Sequence, residues 1–167
     1  MNPASYFPYN ILEEIWIKQE RWKEAEEALQ KSISIQPSNE AFINLAGVYY
    51  HLGELELAAK YYLLAEKDSD ISMYSYIKCL IDLGRTKEAK EKLDFINKGS
   101  YHLIGEIEIA DLYVELDCYN EAIEWFEKGY NAYSGSSYWI SRFVYALYKT
   151  NNFSRLDEVI KEEIEET

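Results

Sequence analysis

Few side chains in this sequence are placed where they could carry out chemistry together. The two histidines, His51 and His102, lie in different segments, and neither belongs to a Glu-x-x-His or His-Glu-x-x-His motif. Cys79 and Cys118 do not form a C-x-x-C pair, so both are expected to be reduced thiols. The sequence therefore predicts no catalytic site, no metal site and no cofactor, and we expect that the protein is not an enzyme.

The charge of the chain restricts the class of partner. Asp and Glu number 30 against 17 Lys and Arg, which gives a net charge of −13. An acidic surface repels phosphate backbones, so nucleic-acid binding is not expected. It suits a protein or peptide partner that is basic or of mixed charge, although an acidic surface also keeps a protein soluble without any partner.

The N-terminus and the hydropathy of the chain predict a cytoplasmic location. Residues 1–9 contain neither a basic stretch nor an apolar core of the kind found in signal peptides. No uninterrupted apolar run is long enough to cross a bilayer, so no membrane partner is expected.

Four alanines recur at nearly equal intervals and indicate a repeated structural unit. Ala25, Ala58, Ala89 and Ala122 are separated by 33, 31 and 33 residues. Each follows a turn and opens a segment with helical apolar spacing. Self-similarity at this period is typical of stacked helical hairpins.

The second unit shows this pattern most clearly. In its first half, apolar residues recur three, four and seven residues apart, as on one face of a helix: Phe42, Leu45, Ala46 and Tyr49. Gly53 then ends the helix, as a residue that readily takes a positive φ does. Leu55, Ala58, Tyr62 and Ala65 share one face of a second helix. The unit is therefore predicted to be a pair of helices.

This pattern resembles the tetratricopeptide repeat, a helix–turn–helix unit of about 34 residues. The resemblance implies an all-α fold, an α-solenoid of about five repeats and about ten helices, wound as a right-handed superhelix. One domain, 1–167, would contain repeats at about 6–38, 39–69, 70–102, 103–136 and 137–167. Helices are predicted near residues 8–19, 22–35, 39–52, 55–67, 71–83, 86–98, 102–116, 119–132, 137–150 and 153–165.

The last helix is predicted to cap the array. Its apolar residues form one stripe, made of Phe153, Leu156, Val159, Ile160 and Ile164, and charged residues cover the rest. A terminal element needs a polar outer face because nothing stacks on it. The pattern therefore argues against further repeats after this helix.

In the tetratricopeptide family, the first helix of each pair lines a concave groove that holds a peptide or a helix of another protein. The resemblance therefore implies a non-catalytic interaction module that binds its partner in such a groove. Partner-binding positions are expected at Asn10, Glu14, Asn44, Tyr50, His51, Tyr74, Lys78, Glu108, Asp111, Glu115, Tyr138, Arg142, Tyr145, Tyr148 and Lys149. Tyrosine is favoured at interface hot spots. The alternative is that the tyrosines pack between helices and the charges pair with each other.

Some members of the family hold a C-terminal carboxylate with a lysine and two asparagines. Asn44 matches one of these asparagines, but Asn10 stands where the lysine belongs and Glu14 where the second asparagine belongs. Binding to acidic C-terminal tails is therefore not expected.

A second hypothesis is an acidic inhibitor, such as a bacterial immunity or antitoxin protein that masks a basic toxin. Glu108, Asp111 and Glu115 lie three, four and seven residues apart, so they share one helix face that could meet a basic partner. A chaperone for a secreted protein is a third hypothesis. The sequence does not separate these roles, and it leaves both a monomer and a weak homodimer open.

Overall fold

The computed structural model describes residues 18–65, 70–98, 105–132 and 139–165. The regular secondary structure of these ranges is helical, and the helices are α1 (Trp22–Ile35), α2 (Asn39–His51), α3 (Leu55–Leu64), α4 (Asp70–Asp82), α5 (Thr86–Lys98), α6 (Glu106–Glu115), α7 (Tyr119–Ala132), α8 (Ile140–Lys149) and α9 (Phe153–Glu165). The predicted range of α1 is confirmed at both ends, and α5, α7 and α9 begin at the predicted residues. Asn10, Glu14, His102, Tyr138 and nearly all of the predicted helix 8–19 lie outside the described residues.

A turn that passes through the left-handed region precedes α1, α3, α5, α7 and α9. The turn residues are Glu20 (φ 56°), Gly53 (φ 79°), Gly84 (φ 73°), Asp117 (φ 56°) and Asn151 (φ 58°). In the second hairpin, the N–H groups of Gly53 and Glu54 donate to the carbonyls of Tyr50 and Tyr49, at 3.0 and 2.9 Å. The same two bonds recur at the turns of Gly84, Asp117 and Asn151. The sequence therefore folds into one turn geometry, used repeatedly.

The four periodic alanines lie where the two helices of a hairpin meet. Ala25, Ala58, Ala89 and Ala122 have no exposed surface. The N–H of each donates to the carbonyl four residues earlier, which opens the second helix of the hairpin. A methyl side chain at this position lets the helices approach closely. The repeat period is therefore visible in the sequence as a recurring alanine.

The chain divides into two compact units, Met1–Ala89 and Lys90–Thr167. In the first unit, α1 packs on α2, α2 on α3, and α3 on α4. Its core contains Leu29, Leu45, Ile77 and Leu80, all without exposed surface. From α1 to α4, each helix therefore packs against its neighbours in sequence, as stacked hairpins require.

The second unit repeats this order with a more aromatic core. Here α6 packs on α7, α7 on α8, and α8 on α9. The ring of Phe126 on α7 lies 6.0 Å from that of Trp139 and 5.3 Å from that of Phe143, measured between centroids. Consecutive helix packing in both units confirms the predicted all-α architecture of helical hairpins.

Helix α9 has the polar outer face and the buried apolar residue expected of a terminal helix, but part of its apolar stripe is exposed. Asp157, Glu158 and Glu162 are exposed, as the predicted polar outer face requires, and Val159 is buried. Ile160 and Ile164 are also exposed, so the apolar stripe of this helix is only partly buried. None of the described helices is both long enough and apolar enough to cross a bilayer.

Candidate functional site

The described residues predicted to bind a partner lie on the first helices of the hairpins. These helices are α2 and α4 in the first unit and α6 and α8 in the second. The candidate residues therefore form two groups, one in each unit.

In the first unit, Tyr50 and Lys78 are brought to the same carboxylate. The Tyr50 hydroxyl donates to Oδ2 of Asp82 at 2.7 Å. The Lys78 ammonium lies 3.9 Å from Oδ1 of Asp82, one turn earlier on α4. Asp82 thus holds both predicted residues in place.

His51 is held by an aromatic stack at the end of α2. Its ring lies parallel to that of Trp22, with centroids 4.2 Å apart and an interplanar angle of 4°. The ring of Tyr50 meets His51 edge-on at 6.2 Å. His51 is exposed on its other side, so its ring is oriented but remains accessible.

The other predicted residues of the first unit are less accessible. Asn44 and Tyr74 are half-buried, and each already has an interaction within the protein. Both side chains are therefore already engaged within the protein.

In the second unit, Arg142 pairs with two of the three predicted acidic residues. Its Nε lies 2.7 Å from Oδ1 of Asp111, and its Nη2 lies 3.7 Å from a carboxylate oxygen of Glu115. Nη2 also donates to the backbone carbonyl of Asp111 at 3.3 Å. For Asp111 and Glu115, the alternative that the charges pair across neighbouring hairpins is confirmed.

Glu108, the third acidic residue, is exposed in the first turn of α6. Its carboxylate lies so close to Gly105 that a Cβ at that glycine would collide with it. A helix N-terminus favours negative charge, which accounts for this position of the carboxylate.

Tyr145 and Lys149 form a cluster with Tyr119, which we call the tyrosine cluster. The rings of Tyr119 and Tyr145 meet edge-on at 5.8 Å. The Lys149 ammonium lies 5.4 Å from the centroid of Tyr119 and 5.8 Å from that of Tyr145. The Tyr119 hydroxyl donates to Asp117 at 2.5 Å, and this hydrogen bond raises the pKa of the hydroxyl. Tyr119 therefore remains a neutral hydrogen-bond donor at neutral pH.

Large aromatic surfaces on α8 stay open to solvent. Tyr145 is 45% exposed and Tyr148 is 60% exposed. Among the ring contacts described, Tyr148 has one, an edge-on contact with the exposed ring of Phe153. The two ring centroids are 6.2 Å apart. Together with Lys149, these side chains form an aromatic surface that carries one positive charge.

A polar cavity lies beside the turn of the last hairpin. It has a volume of about 470 Å³ and is lined by Asn120, Ile123, Glu124, Thr150, Asn151 and Asn152. The Thr150 hydroxyl lies 3.1 Å from the backbone carbonyls of Ala146 and Leu147. This hydroxyl is therefore committed to the backbone, and the cavity offers no paired nucleophile and base. In the ranges that the structure describes, no group of three or more His, Cys, Asp and Glu side chains is arranged to hold a metal ion.

Comparison with known proteins identifies the fold. No protein-family model matches the sequence, and no curated protein matches it. Among solved structures, the segment of MamA from residue 41 to its end, from Desulfovibrio magneticus RS-1, matches with a TM-score of 0.77 at 12% identity, covering 99% of this chain and 96% of that one. A tetratricopeptide repeat protein from Parabacteroides merdae ATCC 43184 matches with a TM-score of 0.75 at 19% identity, over 99% and 67% of the two chains.

A third similar structure is YrrB, described as a tetratricopeptide repeat protein with an unusual peptide-binding site. It matches with a TM-score of 0.71 at 14% identity, covering 98% of this chain and 87% of YrrB. The chain has the tetratricopeptide-repeat fold. At these identities the likeness concerns the fold alone, so the role of each side chain must be argued from its own surroundings.

The tetratricopeptide-repeat fold also explains which site residues sequence reasoning missed. Trp22 and Tyr119 each lie two residues after the turn residue of a hairpin. Their rings contact His51 and Tyr145, which belong to the first helix of the next hairpin. Aligning the five turn residues would have placed Trp22 and Tyr119 at one equivalent position. These two residues could therefore be found by aligning the repeats with one another, but not from any local motif.

Proposed function

We propose that the protein is a non-catalytic interaction module that binds a protein or peptide partner in a groove lined by the first helices of its hairpins. The observation that carries this proposal is the exposure of Tyr145 and Tyr148 on α8, beside the exposed Lys149. Tyrosine combines a large apolar ring with a polar hydroxyl, and it is enriched in the hot spots of protein interfaces.

The state of the two thiols supports a role without catalysis. Burial raises the pKa of Cys79 to about 12, so this thiol is protonated at neutral pH. The Cys118 thiol lies 3.4 Å from the carbonyl of Leu116, and its pKa is also raised, chiefly by burial. Because the thiolate is the nucleophilic form of cysteine, neither side chain is activated for covalent chemistry.

The charges of the second unit favour a partner of mixed charge. Arg142 neutralises much of the field of Asp111 and Glu115, whereas Glu108 remains exposed on the same helix. Lys149 adds a positive charge beside the rings of the tyrosine cluster. A segment that places apolar side chains against the tyrosines and carries both signs of charge would complement this surface. In the first unit, considered by itself, we assign partner contacts to Tyr50, His51 and Lys78, with Asn44 and Tyr74 as further contacts.

The proposal is tested by measuring affinity for a partner captured from the native host and then purified. Replacing both Tyr145 and Tyr148 with alanine should weaken binding by roughly tenfold or more, as the loss of hot-spot side chains does. A matched control replaces Leu63 and Leu64 with alanine, because these residues are also exposed but lie on α3, a second helix. Circular dichroism of both variants should show unchanged helicity. Equal affinity of wild-type protein and the tyrosine variant would reject the groove.

The net charge of −13 favours a second candidate, an acidic protein that masks a basic partner. In this case binding should weaken strongly between about 0.1 and 1 M salt, because exposed charges are screened. Glu108→Lys is the informative variant, since Glu108 is exposed while Asp111 and Glu115 are tied to Arg142. Affinity that does not change with salt or with this substitution would remove the second candidate.

A further inference from the structure

One position on the second helix of each hairpin differs between the last hairpin and all the others. It lies nine residues after the turn residue and is occupied by Leu29, Tyr62, Leu93, Phe126 and Ile160. The first four side chains are buried, whereas Ile160 is 39% exposed. In the last hairpin, an apolar side chain is therefore exposed at a position whose side chain is buried in every preceding hairpin.

In the fourth hairpin, this position is buried by aromatic rings that lie on α8 or directly before it. Phe126 and Tyr130 both contact Trp139 and Phe143, with centroid distances between 5.3 and 6.1 Å. Tyr119 contacts Tyr145 of the same helix. Three positions of α7 are thus covered by the first helix of the next hairpin.

The corresponding positions of α9 are Phe153, Ile160 and Ile164, which we call the terminal apolar face. They lie two, nine and thirteen residues after Asn151, as Tyr119, Phe126 and Tyr130 do after Asp117. Phe153 is 50% exposed and Ile164 is 71% exposed. Their spacing of seven and four residues keeps them on one side of α9. This side has the form of a seat for one more helix.

We propose that the terminal apolar face binds an amphipathic, positively charged helix of another protein, with large aromatic residues four positions apart. The aromatic spacing follows from α8, because Trp139 and Phe143 are four residues apart where they cover α7. The helix would occupy the place beside α9 that α8 occupies beside α7. Phe153 contacts Tyr148, but Ile160 and Ile164 lie on α9, away from the tyrosine cluster, so substitutions at these two isoleucines test the proposal independently of the groove.

The charge of the occupant follows from the charges around the seat. Helix α9 carries five carboxylates and two cations, Arg155 and Lys161, and Arg155 pairs with two of the carboxylates, those of Glu158 and Glu162, so the helix keeps a net negative charge. Helix α8, which covers α7, carries Arg142 and Lys149 and no carboxylate. A second copy that placed its own α9 on this face would bring two acidic helices together, which like-charge repulsion opposes. A cationic helix complements the face instead.

The probe is a fluorescein-labelled peptide with the sequence of residues 139–151, because this segment already covers the equivalent face of α7. The full chain should bind the peptide saturably, with an affinity in the micromolar range. Ile160→Ser together with Ile164→Ser should weaken binding roughly tenfold or more, the factor that corresponds to about 1.4 kcal/mol. Because both side chains are exposed, the variant should keep its helicity, which circular dichroism would verify.

Two controls make the test specific. Leu64→Ser alters an equally exposed apolar residue on α3 and should leave peptide affinity unchanged. A peptide in which serine replaces the residues corresponding to Trp139 and Phe143 should not bind. Absence of binding to the wild-type chain, or binding that survives the substitutions at Ile160 and Ile164, would overturn the proposal. A dimer detected by sedimentation velocity and dissolved by the same substitutions would also overturn it, because the occupant would then be a second copy.

Discussion

The hydroxyl of Tyr50 donates a hydrogen bond of 2.7 Å to a carboxylate oxygen of Asp82. Tyr50 lies near the end of α2 and Asp82 ends α4, so the bond joins the first helices of two successive hairpins. Hydrogen bonds to an ionised acceptor are stronger than those between neutral groups. The bond therefore helps to fix how one hairpin sits on the next.

Removing this hydroxyl should destabilise the protein measurably. Tyr50→Phe keeps the ring and leaves one oxygen of Asp82 without its donor, so the free energy of unfolding should fall by about 1 kcal/mol. Urea unfolding followed by circular dichroism measures the change. Tyr119→Phe is the comparison, because the hydroxyl of Tyr119 donates to Asp117, which is only two residues away. If Tyr50→Phe were as stable as wild-type protein, the bond would have no part in fixing the hairpins.

The turn of the first hairpin should be improved by glycine. Glu20 has φ 56°, a conformation that is unfavourable for a residue with a Cβ atom. Glu20→Gly should raise the free energy of unfolding by roughly 0.5 kcal/mol, since relief of this strain is partly offset by the greater freedom of glycine in the unfolded chain. Thermal unfolding of the two proteins gives the comparison.

The opposite substitution provides the control for the turn. Gly84 has φ 73°, and a Cβ atom added there would meet no atom within 4 Å. Gly84→Ala therefore tests the backbone alone and should lower the free energy of unfolding by about 1 kcal/mol. Destabilisation by Glu20→Gly, or no effect of Gly84→Ala, would show that these turns do not impose the left-handed conformation.

The helices were predictable because the repeat itself marks their ends. The four alanines mark where the second helices of the hairpins begin. The turn residues separate these second helices from the first helices. The predicted start of α7 therefore coincides with the observed one, Tyr119. Local sequence suffices wherever a boundary is set by a turn and by apolar spacing.

Contacts between hairpins were harder to predict, because they depend on register and on the packing of rings. Asp111 and Arg142 are 31 residues apart, and their pairing could only be stated as one of two alternatives. The stack of Trp22 on His51 was not predicted, since neither residue belongs to a local motif. The exposure of Ile160 was also missed, because its place on an apolar stripe does not reveal whether another helix covers it.

The two thiols should differ sharply in reactivity. At about pH 8, iodoacetamide should modify only Cys118 in the folded protein, and slowly, because both thiols have raised pKa values and Cys79 has no exposed surface. In urea, both should react at the rate of an ordinary thiol. Mass spectrometry of the modified peptides measures the two rates, and Cys118→Ser should abolish labelling of the folded chain. Rapid labelling of Cys79 in the folded protein would show that its surroundings open easily.

The pKa of Cys79 also predicts a loss of stability in alkali. Folding raises this pKa from 9.0 to about 12, so the folded state holds the thiol proton more tightly than the unfolded state does. The stabilisation linked to this proton is fully present below pH 9.0 and is lost as the pH rises from 9.0 towards 12. Cys79→Ala should show a flatter decline over this range, measured by urea unfolding. An equal decline in both proteins would mean that other groups control alkaline stability.

Glu121 should make the second unit sensitive to acid. The Lys90 ammonium lies 3.0 Å from the Glu121 carboxylate, and this hydrogen bond lowers the pKa of Glu121 below its ordinary value of 4.5. A carboxyl group with a lowered pKa in the folded state stabilises the protein above its ordinary pKa, and this stabilisation is lost as the pH falls below it. Urea unfolding of wild-type protein and Glu121→Gln should therefore give midpoints that differ at neutral pH and converge in acid. Lys90→Met should behave in the same way, because it removes the other partner. A difference between wild-type protein and Glu121→Gln that persisted unchanged into acid would show that the carboxylate charge is not what stabilises this contact.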